Sequence, residues 1–291
     1  MRVDPERLNL ARDGADWPHR DASRLVEAGG MSWHVQRLGA GPPLLLLHGT
    51  GAATHSWRDV APLLARRFDV LMPDLPGHGF SGPGPQSLPG MARALAALLK
   101  ALDFQPVVAV GHSAGAAILA RLCLDGAIQP KLLASLNGAF LPFGGLAGQF
   151  FPPMAKLLFL NPVTPRLFAW SADEAAVARL LRGTGSAIDR RGVALYQRLF
   201  GNRRHVEGAL GMMANWDLVA LARDLPRLAP RTALIAASGD KAIAPDAARK
   251  VAALLAQAQV VALPGLGHLA HEEAPALAAG TILRLVEEGG G

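Results

Sequence analysis

Residues 106–120, PVVAVGHSAGAAILA, decide how the rest of this chain is read. Val107–Val110 is a short apolar run of the kind a strand shows when both of its faces are covered, and Ala114–Leu124 is rich in alanine and leucine and reads as a helix. Between them Gly111 and Gly115 stand two residues either side of Ser113. A strand that turns directly into a helix has no room for side chains at those flanking positions, and it holds the central residue at strained backbone angles. The helix that follows points its N-terminus at the turn and favours negative charge there. A serine so placed is a candidate nucleophile. The five-residue pattern is weak alone, because an ordinary glycine turn uses the same residues, so the flanking elements and the rest of the chain must decide.

Working outward, the same alternation recurs on both sides. Arg24–Ala28 and Ser32–Leu38 read as a hairpin joined by Gly29-Gly30-Met31. Strands are expected at Leu44–Leu47, Val70–Met72, Lys131–Leu136, Thr232–Ala237 and Gln259–Leu263. Helices are expected at Trp57–Arg66, Met91–Leu102, Leu218–Leu228, Pro245–Leu255 and Glu272–Val286. Between Gly138 and Asn215 the alternation stops, and only helical patterns broken by prolines and glycines remain. The fold class is therefore α/β, a mostly parallel sheet covered by helices on both faces, with an inserted helical cap. The division expected is an N-terminal arm over 1–23, a core formed by 24–137 and 216–291, and a cap over 138–215. The arm is polar and reads either as laid on the domain or as a loose tail.

Composition limits the functions on offer. The chain has 291 residues, of which 51% are hydrophobic and 18% charged, enough for one large core. No segment approaches the roughly 18 apolar residues needed to cross a bilayer, and Met1–Arg7 lacks the apolar stretch of a signal peptide. Cys123 is the only cysteine. It excludes an intrachain disulfide and a cysteine metal site, fits a cytoplasmic location, and reads as a small buried side chain. No metal or cofactor is expected. The net charge of +6 comes mainly from arginines scattered singly or in pairs, without the clustering a nucleic-acid surface needs.

A serine nucleophile needs a base, and the base needs an orienting acid. His268 lies in the glycine-rich loop after the last expected strand, and Asp240 lies just past the strand before it. Both fall at strand carboxyl ends, the edge where Ser113 also sits, and where ligands bind in such sheets. His271 is a rival base at the start of the last helix. The oxyanion of a tetrahedral intermediate needs amide donors. The Ala114 amide is one, and the loop His48-Gly49-Thr50-Gly51 offers the other, from Thr50 or alternatively Gly51. His48 reads as a turn stabiliser, and His112 as packing beneath the cap or a contact to substrate.

With these residues in place the chain resembles the α/β-hydrolase fold family over residues 24–286. The stretches that carry the resemblance are "LLLLHGTG", "DLPGHGFSG", "GHSAG" and "PGLGHLAHEEAP". It implies a Ser113–Asp240–His268 triad with the oxyanion donors above. Many members have glycine three residues before the acid, where this chain has Ala237, and Asn137 offers no substitute carboxylate. Serine at the elbow argues against the dehalogenases and epoxide hydrolases of this fold, which use aspartate there. "DWPHRDASR", "HGTGAATHSWRD", "LPGMARALAALL", "GHSAGAAILARLCLDG" and "GMMANWDL" resemble one branch more closely, the magnesium-chelatase accessory proteins of bacteriochlorophyll biosynthesis. That resemblance implies a role near magnesium insertion into protoporphyrin, with magnesium chelatase subunits as partners.

The cap speaks separately about ligand. Between Gly138 and Asn215 nine basic residues stand against four acidic ones, and seven of the ten phenylalanines lie there. Aromatic lining with cationic edges suits a flat apolar ligand bearing carboxylates, as a porphyrin does. A solvated arginine face on an amphipathic cap is the competing reading. His112, Trp57, Phe140, Phe143 and Trp170 are the candidate ligand contacts. The apolar run Phe150–Leu160 adds peripheral contact with a membrane, photosynthetic in this setting, as an expectation. Two readings result: a serine hydrolase acting on a bulky apolar ester or acyl compound, or a non-catalytic porphyrin-binding or chelatase accessory protein. A structural scaffold is hard to reconcile with so complete a set of catalytic groups.

Overall fold

Eight strands form one sheet: β1 (Ser23–Ala28), β2 (Met31–Leu38), β3 (Pro43–Leu47), β4 (Asp69–Pro73), β5 (Val108–His112), β6 (Leu132–Leu136), β7 (Arg231–Ala237) and β8 (Ala258–Leu263). They come from a computed structural model that describes residues 6–142, 161 and 163–289. The strand order is β1-β2-β4-β3-β5-β6-β7-β8, antiparallel for β1/β2 and β2/β4 and parallel from β4 onward. The hairpin between β1 and β2 turns on Gly29 and Gly30, both at positive φ (60° and 81°), which their lack of a Cβ permits.

Alternate strand residues feed two cores. Leu45, Leu47, Leu71, Ala109, Leu133 and Leu234 pack beneath α3 (Leu88–Ala101) and α4 (Ala114–Leu124). Leu44, Leu46, Val70, Met72, Val110, Leu132 and Ala134 pack on the opposite face, with residues of α2 (Ala61–Leu64) and α12 (Pro275–Glu288). The central strands therefore need apolar residues at every position, as their sequences show. A short α1 (Leu10–Asp13) lies in the arm. Each expected strand is present with its ends shifted by a residue or two. The helix expected over Trp57–Arg66 is instead a 3-10 turn, Thr54–Trp57, followed by α2. Its start is diverted because the Thr54 amide donates to the buried Asp74 carboxylate at 2.7 Å.

Between β6 and β7 the described residues form helices α5 (Thr164–Ser171), α6 (Glu174–Gly183), α7 (Arg190–Phe200), α8 (Arg203–Ala214) and α9 (Val219–Asp224), then a 3-10 turn. Asp173, Asp189 and Asn202 cap α6, α7 and α8 by accepting amide hydrogens from Ala176, Gly192 and His205. Leu218, Leu221, Leu225 and Leu228 return the chain to the core beneath α3 and α4. After β7 come α10 (Ala247–Ala252) and, after β8, α11 (Ala270–Glu273) and α12. The single helix expected over Glu272–Val286 is split because Pro275 cannot continue α11.

The arm is laid on the domain. Trp17 is buried with Leu10, Ala53, Phe80, Leu195 and Leu199, its Nε1–H donates to Thr54 Oγ1 at 3.1 Å, and Asp16 pairs with Arg198 of α7 at 2.7 Å. A second seam is ionic. Arg58 is buried between Asp59, Asp189 and Glu272, and the Tyr196 hydroxyl donates to Glu272 at 2.8 Å. Burial pushes the Glu272 carboxyl up to about 7, although Arg58 opposes the shift. Arm, cap and core thus close on one another at residues far apart in sequence.

Candidate active site

Parallel register places five strand ends on one edge. Leu47 pairs with Gly111, His112 with Leu136, Leu136 with Ile235, and Ala237 with Leu263. The loops that leave those ends carry Thr50, Ser113, Asn137, Asp240 and His268. That edge is where an open parallel sheet binds ligand.

Ser113 sits at φ 50°, ψ −118°, a left-handed backbone that a serine adopts only under constraint. The constraint is visible in its neighbours. A Cβ on Gly111 would stand 2.4 Å from the Ala116 nitrogen, and one on Gly115 would stand 2.3 Å from the Leu47 carbonyl oxygen. Only glycine lets helix α4 rise so steeply against β3. Ser113 is half-buried, its own amide donates to the Leu136 carbonyl at 3.0 Å, and it sits at the positive end of α4.

His268 and Asp240 meet as the sequence expects. Nδ1 of His268 lies 2.8 Å from Oδ2 of Asp240, whose side chain is 1% exposed. The other carboxylate oxygen accepts the amide hydrogens of Ala242 at 2.7 Å and Ile243 at 2.9 Å. Both oxygens are therefore acceptors, so Nδ1 carries the proton and Nε2 is left with a lone pair, the tautomer a general base needs. Ala237, in place of glycine three residues before the acid, is fully buried and donates its amide to Asn137 Oδ1 at 2.8 Å without disturbing this pair.

The oxyanion candidates have amides free of protein acceptors: among the described residues neither the Thr50 nor the Ala114 amide donates to another protein group. Ala114 opens α4, where the first amides have no acceptor within the helix. The Thr50 hydroxyl contacts Met212 of the cap, and Gly51 lies at φ 75° with its carbonyl held by His205 Nε2 at 3.1 Å. His48 holds this loop. Leu75 donates its amide to His48 Nε2 at 2.9 Å, so Nδ1 carries hydrogen and donates to the Gly49 carbonyl at 2.8 Å. It is the turn stabiliser that its place in the loop suggests. Burial lowers its pKa.

The other candidates distribute unevenly. His112 is buried and donates Nε2–H to the His268 carbonyl at 2.9 Å, so it packs beneath the histidine loop rather than facing a ligand. Trp57 is fully buried in the core, stacked 4.6 Å from His271, which removes it from the ligand contacts. Its indole is the large apolar body that this face of the sheet needs. Phe140 is 2% exposed and belongs to the other core cluster. Trp170 is 86% exposed, because α5 buries Pro165 and turns Leu167 and Trp170 away from the protein. Phe143 and the run Phe150–Leu160 lie outside the described residues. His271 is buried between Trp57 and His112, burial pushes it down to about 3, and among the described residues neither of its nitrogens has a partner. No carboxylate orients it, whereas Asp240 orients His268. Cys123 is partly buried against the core, and burial raises its thiol to about 12.

Two groups escaped the sequence reading. Asn137 sits at φ 48° at the end of β6 and donates Nδ2–H to the carbonyls of Gly267 (3.1 Å) and His268 (2.9 Å). With His112 it fixes the histidine loop from below. A short polar side chain directly after a buried strand was the available signal. The second is Asp74 in "DLPGHGFSG", fully buried, paired with His34 at 2.7 Å and accepting the amides of Thr54 and Phe80. These contacts hold its carboxyl well below the usual range despite burial. No group of His, Cys, Asp and Glu among the described residues is arranged to hold a metal ion. No described helix is long and apolar enough to cross a membrane.

An eight-stranded, mostly parallel sheet with a serine elbow and an acid-oriented histidine at one edge defines an α/β-hydrolase, and the chain belongs to the alpha/beta hydrolase family, which it matches over residues 44–281. Among named proteins it is 40% identical to the magnesium-chelatase 30 kDa subunit of Rhodobacter capsulatus, covering 94% of this chain and 97% of that one. It is 30% identical to the dihydrolipoyllysine-residue acetyltransferase component of the acetoin cleaving system of Pseudomonas putida, over 91% of this chain and 69% of that one. An alpha/beta hydrolase fold protein from Burkholderia ambifaria superposes with a TM-score of 0.78 at 22% identity, covering 91% of this chain and 98% of that one, which shows the shared fold.

Proposed function

We propose that this protein is a serine-type hydrolase acting on a bulky apolar ester or acyl compound, in a tetrapyrrole pathway close to magnesium chelation. The observation that carries the chemistry is the His268–Asp240 contact at 2.8 Å, with Asp240 buried and its second oxygen held by two amides, on the edge where Ser113 occupies a strained elbow. The pathway rests on the resemblance to the R. capsulatus subunit.

In this reading Ser113 Oγ attacks the acyl carbon while His268 Nε2 takes its proton, and Asp240 supports the imidazolium through Nδ1–H. The oxyanion is met by the Ala114 amide, reinforced by the N-terminus of α4, and by the amide of Thr50 or Gly51. The proton on His268 then passes to the leaving alcohol. Water repeats the cycle on the acyl-enzyme and frees the acid. Two buried groups, His112 and Asn137, keep the His268 carbonyl in place throughout.

The name of the R. capsulatus relative favours a second reading, in which the fold presents a porphyrin to the chelatase or assists the complex without chemistry. Titration with protoporphyrin and its magnesium complex, beside hydrolysis of an acyl-ester panel, separates the two. The hydrolase reading expects ester turnover that Ser113→Ala abolishes. Porphyrin binding by both wild type and Ser113→Ala, without turnover of any ester, supports the accessory reading instead.

A further inference from the structure

The turn between α6 and α7 of the cap reaches the catalytic edge. The Thr184 carbonyl accepts the amide hydrogen of Lys241, the residue after the acid, at 3.0 Å, and that of His268 itself at 3.4 Å. Ser186 Oγ accepts the amide hydrogen of Leu269, the residue after the base, at 2.8 Å, and is steadied by the Thr184 hydroxyl at 3.1 Å. Ser186 is 2% exposed. Three glycines let these backbones touch. A Cβ on Gly185, at φ 87°, would stand 2.1 Å from the Gly239 carbonyl oxygen, and one on Gly267 would stand 2.3 Å from Gly185 backbone atoms.

We infer that Thr184–Ser186 is a positioning element, through which the cap sets the alignment of Asp240 with His268. The acid and the base come from different strand ends. Their loops are tied near the strand exits, where the Ser238 amide donates to the Leu263 carbonyl at 3.0 Å, the Gly239 amide to the Leu266 carbonyl at 2.8 Å and the Gly265 amide to Ser238 Oγ at 2.8 Å, and the Asp240–His268 bond itself closes the pair. The cap turn adds a backbone carbonyl shared by both loops and a hydroxyl bonded to the residue after the base. A charge-assisted bond loses strength steeply once its angle falls away, so a small displacement of either loop lowers the basicity delivered at Nε2. Helices α6 and α7 flank the turn, and their Val177, Leu181, Val193 and Tyr196 pack with Ala52, next to the oxyanion loop, and with Leu269. A ligand that shifts those helices therefore acts on the pair directly. The cap is a regulator of the catalytic groups as well as a cover.

This inference rests on the hydrolase reading for its consequence in rate, while the alignment can be read without any substrate. Two measurements are made on the full chain: the downfield Nδ1–H proton resonance of His268, and the rate at which a fluorophosphonate labels Ser113. Ser186→Ala is expected to broaden or shift the resonance upfield and to slow labelling about tenfold, as a misplaced catalytic group does. Ser186→Thr, which keeps a hydroxyl, should restore both. Ile282→Val, a core change remote from the edge, should lower the melting temperature and leave both signals as in wild type. A Ser186→Ala protein with an unmoved resonance and a wild-type labelling rate overturns the inference, as does Ile282→Val slowing labelling equally. A wild type that shows the resonance but never labels counts against the hydrolase reading, and the resonance in Ser186→Ala still decides the positioning role.

Discussion

Replacing Asp240 with asparagine tests the chemistry with almost no change of shape. Oδ1 of Asp240 accepts two amide hydrogens, from Ala242 and Ile243 at 2.7 and 2.9 Å. In Asp240→Asn those amides demand an acceptor, so the side-chain oxygen stays with them and the NH2 group is turned toward His268. An NH2 group can only donate. His268 must then present a bare Nδ1, which moves its proton to Nε2 and leaves nothing to accept the Ser113 proton. The wrong tautomer in such a triad costs about 10⁴-fold in rate, or about 5 kcal/mol of transition-state stabilisation. The folded state loses far less. Three charge-assisted bonds, from the two amides and from His268, become neutral ones, roughly 1–3 kcal/mol against a total stability of about 5–15 kcal/mol. The variant should stay folded and nearly inert. Asp240→Ala should be as inert and less stable, because it leaves both amides without their acceptor. Ester hydrolysis and the rate of fluorophosphonate labelling report the activity, and circular dichroism reports the fold. A folded Asp240→Asn protein within about tenfold of wild type would mean that the His268 tautomer is set by a group other than Asp240.

Other consequences follow from packing and charge. Gly115→Ala drives a Cβ to 2.3 Å from the Leu47 carbonyl oxygen, a contact between backbones that cannot yield cheaply, and should cost about 1–3 kcal/mol in urea unfolding; unchanged stability would show that α4 can lift from β3. Arg58→Ala strands the buried Glu272 carboxyl, and breaking such a pair costs about 3–5 kcal/mol, visible as lower stability and faster proteolysis at the cap seam. Acid should destabilise the fold early. Burial lowers the pKa of His48, His55, His78, His112, His205 and His271, the last two to about 4 and about 3. Their folded values lie below the ordinary 6.5, so the unfolded chain binds more protons as pH falls through 6.5. The stability they provide is complete above that pH and is lost progressively toward 4. Denaturant titrations at pH 7 and pH 5 should differ in the midpoint, and equal midpoints would contradict the neutral, buried state of these rings.

Most of the sheet was legible because each strand carries its own signal. Leu44–Leu47 and Val107–Val110 are apolar at successive positions, and only strands covered on both faces need that. The placement of Ser113, Asp240 and His268 on one edge was legible because each follows a strand, and sequence order reveals which loops leave the strand carboxyl ends. What was not legible depends on contacts between distant residues. Trp57 and Trp170 are both tryptophans next to a serine, yet one is buried beneath the sheet and the other faces outward. Their burial is decided by which helix face meets which element, and a local pattern does not record it. Asn137 looked like a missing acid, and its use as a double donor to the histidine loop appears only once β6 and β8 are placed. The Thr184–Ser186 contacts are of the same kind, since two of the three act through the backbone.

Whether Ser113 is an activated nucleophile is read by labelling with a fluorophosphonate followed by peptide mass spectrometry. A single adduct is expected, on the peptide that contains Ser113, absent from Ser113→Ala and strongly slowed in Asp240→Asn. An adduct on another serine, or none on the folded wild type, would show that Ser113 is not an activated nucleophile.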